Sequence, residues 1–224
     1  MSIKKHIPNL LTSSNLVCGC LGIIYCFQGD LKFAVYLIWI AMLFDFLDGF
    51  AARLLKVSSP IGKELDSLAD MVTFGVLPAI LILQLIEQHE TGPIKYIALL
   101  IAVFSALRLA KFNVDDKQQS VFIGLPTPAN ALFLSSLIFV FERFPAFNQL
   151  YFLVGVAVIF SLLLVAPLEL FALKFKNYAW KGNEVRFAFL LLSLTSIVFL
   201  QFLALPLIIL GYILLSFVIK VTSS

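Results

Sequence analysis

The sequence predicts an all-α bundle of about eight membrane-crossing helices, and three observations predict it. Of 224 residues, 61% are hydrophobic and only 13% are charged, where a water-soluble domain carries roughly 25% charged residues. The apolar residues gather in eight stretches, most of them near the ~20 residues that a helix needs to cross a bilayer core. The basic residues concentrate in alternate loops, as they do in multi-pass membrane proteins.

The stretches run about Leu10–Phe27, Leu31–Leu54, Leu65–Leu85, Ile94–Phe112, Pro126–Phe141, Leu150–Leu173, Phe187–Leu203 and Leu207–Ile219. The fifth and the eighth are short. Pro206 is expected in a tight turn between the last two, because proline stops a helix. The first span is long, so a retained helix is expected and not a cleaved signal. Cys18, Cys20 and Cys26 all fall in it with no metal-ligand spacing and read as small buried hydrophobes. Little chain is left for a soluble part. A single membrane domain over residues 1–224 is therefore expected, with accessory spans at about 150–220.

Charge sets the expected orientation. With the N-terminus in the cytoplasm and the spans alternating, 13 of the 16 Lys and Arg residues fall inside. These are Lys4, Lys5, Arg53, Lys56, Lys63, Arg108, Lys111, Lys117, Lys174, Lys176, Lys181, Arg186 and Lys220. Only Lys32, Lys95 and Arg143 fall outside. The net charge of +3 is thus a topological signal and gives no reason to expect nucleic acid as a partner.

Acidic side chains within membrane spans are costly and mark function. The second span ends Asp45-Phe46-Leu47-Asp48-Gly49-Phe50-Ala51-Ala52-Arg53, and the third opens Gly62-Lys63-Glu64-Leu65-Asp66-Ser67-Leu68-Ala69-Asp70. Asp45, Asp48, Gly49 and Ala52 lie at i, i+3, i+4 and i+7 and so share one helix face; Gly62, Asp66 and Asp70 share another. Ser58-Ser59-Pro60 breaks the helix between them. The expectation is an antiparallel hairpin whose four carboxylates converge near the cytoplasmic surface. Carboxylates crowded in this way either stay partly protonated or share a divalent cation. An all-oxygen donor set suits Mg²⁺, Mn²⁺ or Ca²⁺ and not zinc. Two ions about 4 Å apart would suit phosphoryl-type substitution. Gly49, Ala52 and Gly62 clear side-chain bulk from the same faces and leave room for a ligand.

These residues fit the pattern D-x2-D-G-x2-A-R-x8-G-x3-D-x3-D, filled at every fixed position by Asp45, Asp48, Gly49, Ala52, Arg53, Gly62, Asp66 and Asp70. The pattern resembles the signature of the CDP-alcohol phosphotransferase family. The resemblance implies that Asp45, Asp48, Asp66 and Asp70 bind metal, two Mg²⁺ or Mn²⁺ ions, and that Asp70 is also the general base. It implies further that Gly49, Ala52, Arg53 and Gly62 line the site of the CDP-linked lipid, Arg53 holding the diphosphate. Ser59 stands where relatives place a diphosphate-contacting serine, and Thr12 and Asn15 resemble the nucleotide-contacting start of the family's first helix. A homodimer embedded among membrane lipids is implied as well.

The flanks point to the acceptor alcohol. Ala106-Leu107-Arg108-Leu109-Ala110-Lys111-Phe112-Asn113 and Phe122-Ile123-Gly124-Leu125-Pro126-Thr127-Pro128-Ala129-Asn130-Ala131 resemble the membrane-integrated branch of the family that joins the phosphatidyl group of CDP-diacylglycerol to L-serine. Serine is a zwitterion whose carboxylate calls for a cation. Arg108 and Lys111, with Asn113 and Thr127, are the expected contacts, since arginine pairs well with carboxylates. Two other readings are open: a different acceptor, such as glycerol 3-phosphate or an inositol phosphate, and, in another class, a cation transporter. The acids cluster at one end of their spans, whereas transport sites lie near the midplane.

Overall fold

In a computed structural model the described residues are 6–57, 59–114, 122–170, 180 and 183–223. Ser58 of the expected helix break lies outside them, as do Lys4, Lys5, Lys117, Lys174, Lys176 and Lys181 of the charge argument.

Helices make up almost all of it. Helix α1 is His6–Phe27, α2 is Leu31–Leu55, and α3 (Pro60–Asp70) runs through a π-helical turn (Met71–Val76) into α4 (Leu77–Glu87). A 3-10 turn (Pro93–Ala98) leads into α5 (Leu99–Val114); α6 is Thr127–Arg143, α7 is Leu150–Val165, α8 is Glu184–Leu200 and α9 is Ala204–Ser223. The one strand pairing among the described residues joins β1 (Phe122–Ile123) to β2 (Glu169–Leu170), antiparallel.

Local chemistry explains the ends near the site. Asp30 caps α2 by accepting from the Phe33 amide at 3.0 Å, the preferred use of Asp at a helix start. At the other end Lys56 adopts a left-handed conformation, φ 52°, and its amide reaches the Ala52 and Arg53 carbonyls. That closes α2 as a C-terminal cap does. Ser59 then accepts from the Gly62 amide at 2.9 Å, and Pro60 opens α3 where its missing N–H costs nothing.

The expected count of eight spans is not what the structure gives. Five helical segments among the described residues are long and apolar enough to cross a membrane: His6–Phe27, Leu31–Leu55, Pro60–Glu87, Pro93–Val114 and Glu184–Lys220. The chain is a multi-pass membrane protein on that basis. Helices α6 and α7 have 17 and 16 residues, which at 1.5 Å per residue reach only about 24–26 Å against a ~30 Å core. The last two expected spans form one continuous apolar run of 37 residues. Its bend is not at Pro206, which lies in the first turn of α9. It is at Gln201, φ 51°, followed by a 3-10 turn over Gln201–Leu203. The first turn of a helix tolerates proline because its amides lack intrahelical partners.

The segment α3–α4 is the central rod. Phe74, Leu77, Leu81, Ile82 and Ile86 are fully buried in it, and α1, α5, α6 and α7 pack around it. Two glycines let α1 approach closely. A Cβ at Gly19 would stand 2.3 Å from Thr73 Oγ1, and one at Gly22 would stand 2.4 Å from Leu77 Cδ2. Trp39 ties α2 to α6 by donating to Ser135 Oγ at 3.1 Å, and its ring lies against Phe139 and Phe202, so the α8–α9 turn is seated on the same cluster. Gly124 bridges two elements: its amide reaches Leu168 O at 2.9 Å, its φ is 78°, and a Cβ would meet Leu164 O at 2.3 Å.

Overpacking of a closed contact costs about 1–3 kcal/mol. Gly19→Val is therefore expected to lower the thermal unfolding temperature in detergent, whereas Gly155→Ala, with nothing within 4 Å, leaves it unchanged or raises it slightly. Equal melting of the two variants would refute the close α1 contact.

Candidate active site

The four signature aspartates occupy the last turns of α2 and the body of α3. One carboxylate oxygen each from Asp45, Asp48 and Asp66 lie within 4.8 Å of one another. Asp48 is buried, and Asp45 and Asp66 are half-buried. This spacing fits a hard cation, whose opposed oxygen ligands stand about 4.2 Å apart at Mg²⁺ bond lengths and about 4.8 Å apart at Ca²⁺ bond lengths. A second observation agrees: Asp66 Oδ1 is buried and has no hydrogen-bond partner, the condition of an atom kept for a ligand.

Asp70 stands apart from that trio. It follows Asp66 by four residues on the same face of α3 and is not one of the three carboxylates that lie within 4.8 Å of one another. Asp70 is buried, lies within hydrogen-bonding reach of Asp45, and accepts from Asn15 Nδ2 at 3.3 Å. The π-helical turn begins directly after it, a local widening often found at functional sites.

The expected two-helix hairpin proves to be a three-helix cradle. Helices α2 and α3 make almost no close backbone approach to each other, and α1 packs against both. The Thr12 hydroxyl lies 2.6 Å from Asp48 Oδ2 and 3.0 Å from the Pro8 carbonyl. Its one proton goes to the carboxylate at the shorter distance, since charge-assisted bonds are stronger. Asn15, one turn on, holds Asp70. Its own carbonyl accepts from Thr73 Oγ1 at 3.1 Å, which locks α1 onto the π-helical turn.

Above the carboxylates lies a cavity of about 220 Å³ lined by Pro8, Asn9, Thr12, Asp48, Gly49, Ala52, Val57, Ser59, Gly62, Lys63 and Asp66. Thr12, Gly49, Ala52, Ser59 and Gly62 thus meet around one space, as the sequence suggested. Two expected members do not line it. Arg53 is exposed at the rim, its guanidinium near Gly49, where a Cβ would lie 3.8 Å from it. Asn15 is fully buried below, engaged with Asp70. Gly62 is needed for space, because a Cβ there would press on Ser59 Oγ at 3.0 Å and Asn9 Oδ1 at 3.1 Å. Asn9 and Lys63 were not singled out by the sequence reading. Their signal was position: Asn9 lies three residues before Thr12, and Lys63 three before Asp66, each on the face that carries the site.

The expected serine contacts separate into two groups. Arg108 is buried, and its Nη1 donates to the fully buried Thr127 Oγ1 at 3.4 Å. Lys111 is exposed. Asn113 is engaged with α3, donating to Ser67 Oγ at 2.9 Å, while Lys63 Nζ donates to its carbonyl at 3.3 Å. Lys111 and Asn113 therefore belong to the rim and to a helix tie, apart from the Arg108–Thr127 pair.

The family model of the CDP-alcohol phosphatidyltransferases matches residues 5–173, and the chain belongs to that family. Three relatives carry the name CDP-diacylglycerol–serine O-phosphatidyltransferase. The chain is 39% identical to one from Bacillus subtilis over 140 residues, 62% of this chain and 78% of that protein. It is 31% identical to one from Helicobacter pylori over 199 residues, 87% of this chain and 81% of the relative. It is 38% identical to one from Methanocaldococcus jannaschii over 135 residues, 59% of this chain and 61% of the relative.

Partners that orient a metal ligand are typically worth about 10–100-fold in metal affinity or activity. Thr12→Val is expected to weaken divalent-cation binding by about tenfold, read by calorimetric titration of the purified protein. Ser13→Ala, whose hydroxyl only reaches the Asn9 carbonyl, leaves it unchanged. Identical affinities for the two variants would deny Thr12 a part in holding Asp48.

Proposed function

We infer that this chain transfers the phosphatidyl group of CDP-diacylglycerol to the hydroxyl of L-serine, forming phosphatidylserine and CMP. The observation that carries the reading is the meeting of Asp45, Asp48 and Asp66 beside a cavity that Asp48 and Asp66 line together with Gly49, Ala52 and Gly62. The names of the relatives supply the donor and the acceptor.

Asp45, Asp48 and Asp66 would hold a divalent cation, with Asp70 and Asp45 completing a second position; Mg²⁺ or Mn²⁺ suits such donors. Bound there, the metal neutralises the diphosphate and makes CMP a better leaving group. The chain's own groups do the rest. The cleared faces of Gly49, Ala52 and Gly62 admit the nucleotide and diphosphate, with Ser59 and Lys63 at the wall and Arg53 at the rim. Asp70 takes the proton from the serine hydroxyl as its oxygen bonds to the lipid-bearing phosphorus, and the bond from that phosphorus to CMP breaks. Asn15 holds the Asp70 carboxylate in place for this step, since a carboxylate base depends on position more than on strength. Arg108, paired with Thr127, supplies the cation for the serine carboxylate.

Across the first four spans Arg53, Lys56, Lys63, Arg108 and Lys111 fall on the side of the N-terminus and Lys32 and Lys95 on the other, which supports a cytoplasmic site and N-terminus, where a water-soluble amino acid meets a lipid substrate. A homodimer forms part of the same reading, and the chain acts as one membrane domain whose signature lies at 45–70.

Purified protein in mixed micelles, given CDP-diacylglycerol and labelled serine, glycerol 3-phosphate or inositol phosphate in turn, tests the reading. Labelled lipid is expected from serine alone, with stoichiometric CMP and none after chelation. Product from glycerol 3-phosphate and none from serine would refute the acceptor. Asp66→Asn is expected to lower the rate by more than about 100-fold; a variant of wild-type activity would remove the carboxylate cluster from the chemistry.

A further inference from the structure

Buried polar atoms in a folded protein nearly always find a hydrogen-bond partner, and one that does not calls for an explanation. Among the described residues the buried side-chain atoms without a partner belong to five residues: Asn15, Asp66, Ser105, Arg108 and Asn130. The first two border the carboxylates. The other three lie on α5 and α6, which both pack against the π-helical turn that follows Asp70.

Their placement follows from helix geometry. Arg108 on α5 meets Thr127 on α6. Ser105 precedes Arg108 by three residues and Asn130 follows Thr127 by three, so each lies on the same face as its neighbour. Ser105 also lies against the π-helical turn that follows Asp70, for a Cβ at Gly75 would stand 3.0 Å from Ser105 Cβ. Ser105 and Asn130 are fully buried, and Arg108 is 9% exposed. Other buried hydroxyls of α6 are satisfied within the protein: Ser136 donates to Phe133 O at 2.7 Å, and Ser135 donates to Leu132 O and accepts from Trp39. Asn130 differs, since both its Nδ2 and its Oδ1 are unpaired.

We propose that Asn130, with Ser105, completes the acceptor-recognition site begun by Arg108 and selects a zwitterionic amino alcohol. The proposal rests on the serine reading above. The amide presents a donor and an acceptor together, which matches the carboxylate and the ammonium attached to one α-carbon. Arg108 Nε adds a charged donor for the carboxylate, and the Ser105 hydroxyl serves as either donor or acceptor. A phosphorylated polyol would find one buried cation in this group and no second positive charge. It would also leave the amide oxygen facing an anion. Sites whose buried polar groups need a particular partner reject ligands that lack it more strongly than apolar sites do.

The test compares wild type with Asn130→Leu and Ser105→Ala in the purified full-length protein, measuring KM for serine, KM for CDP-diacylglycerol, and melting temperature. Asn130→Leu removes an unpaired amide from the interior, so it is expected to melt at or above wild type. Its serine KM is expected to rise by about tenfold or more, with the KM for CDP-diacylglycerol within about twofold of wild type. Ser105→Ala is expected to show the same split, with a smaller change. A serine KM unchanged in both variants would overturn the proposal. So would a rise in both KM values together with a lower melting temperature, the mark of a packing role. A wild-type protein that ignores serine would overturn this proposal together with the activity reading, and that outcome is separable because it is seen before any substitution is made.

Discussion

Carboxylates at the end of a membrane helix must be compensated, and the architecture around the site follows from that one requirement. Four aspartates on α2 and α3 stand where water is scarce, and unpaired charge there is expensive. The protein answers partly with donors from α1: Thr12 to Asp48 and Asn15 to Asp70. Those donors reach only because α1 lies unusually close to the central rod, and it lies close because residues 19 and 22 carry no side chain. Small residues let membrane helices approach in this way. A packing feature thus fixes an electrostatic one.

The same economy governs what is left unpaired. Polar groups that build the fold are satisfied: Trp39 to Ser135, Ser67 to Asn113, Thr73 to the Asn15 carbonyl. The unpaired buried atoms lie instead at Asn15 and Asp66, on α1 and α3, and at Ser105, Arg108 and Asn130, on α5 and α6. Two such groups would suit the proposed reaction with two substrates, one carrying a diphosphate and one carrying an amino acid's charges. The rod α3–α4 packs against α1, α5 and α6. Its apolar half is locked in the core by Leu77, Leu81 and Ile82, so its acidic half is held steady at the membrane edge.

Much of the site was legible because helix periodicity is a local property. The spacing of Asp45, Asp48, Gly49 and Ala52 fixes their common face whatever surrounds them, and Asp48, Gly49 and Ala52 line one cavity. Arg108 was legible for the same reason, as a cation placed at the level of the acids. Asn15, read as a contact for the nucleotide, hydrogen-bonds Asp70 in the structure. Lys111, on the same side of α5 as Arg108, is exposed, and Asn113, five residues beyond Arg108 and so about 140° round the helix, reaches Ser67. The number of spans was misjudged because apolarity says where lipid or core surrounds a helix without saying which. Helices α6 and α7 bury much of their apolar surface against protein and are too short to need lipid along a full bilayer.

The amino-acid sequence alone determined the helical class, the helix break before Pro60, and the faces on which the acids lie, because each depends on residues within a few positions of one another. Tertiary structure decided that α1 is the third wall of the site, that Asp45, Asp48 and Asp66 form the close trio without Asp70, and that Asn130 is buried with its amide unpaired. Those outcomes depend on which helices abut and at what depth, and that is set by close packing between segments far apart in the chain, which no local pattern encodes.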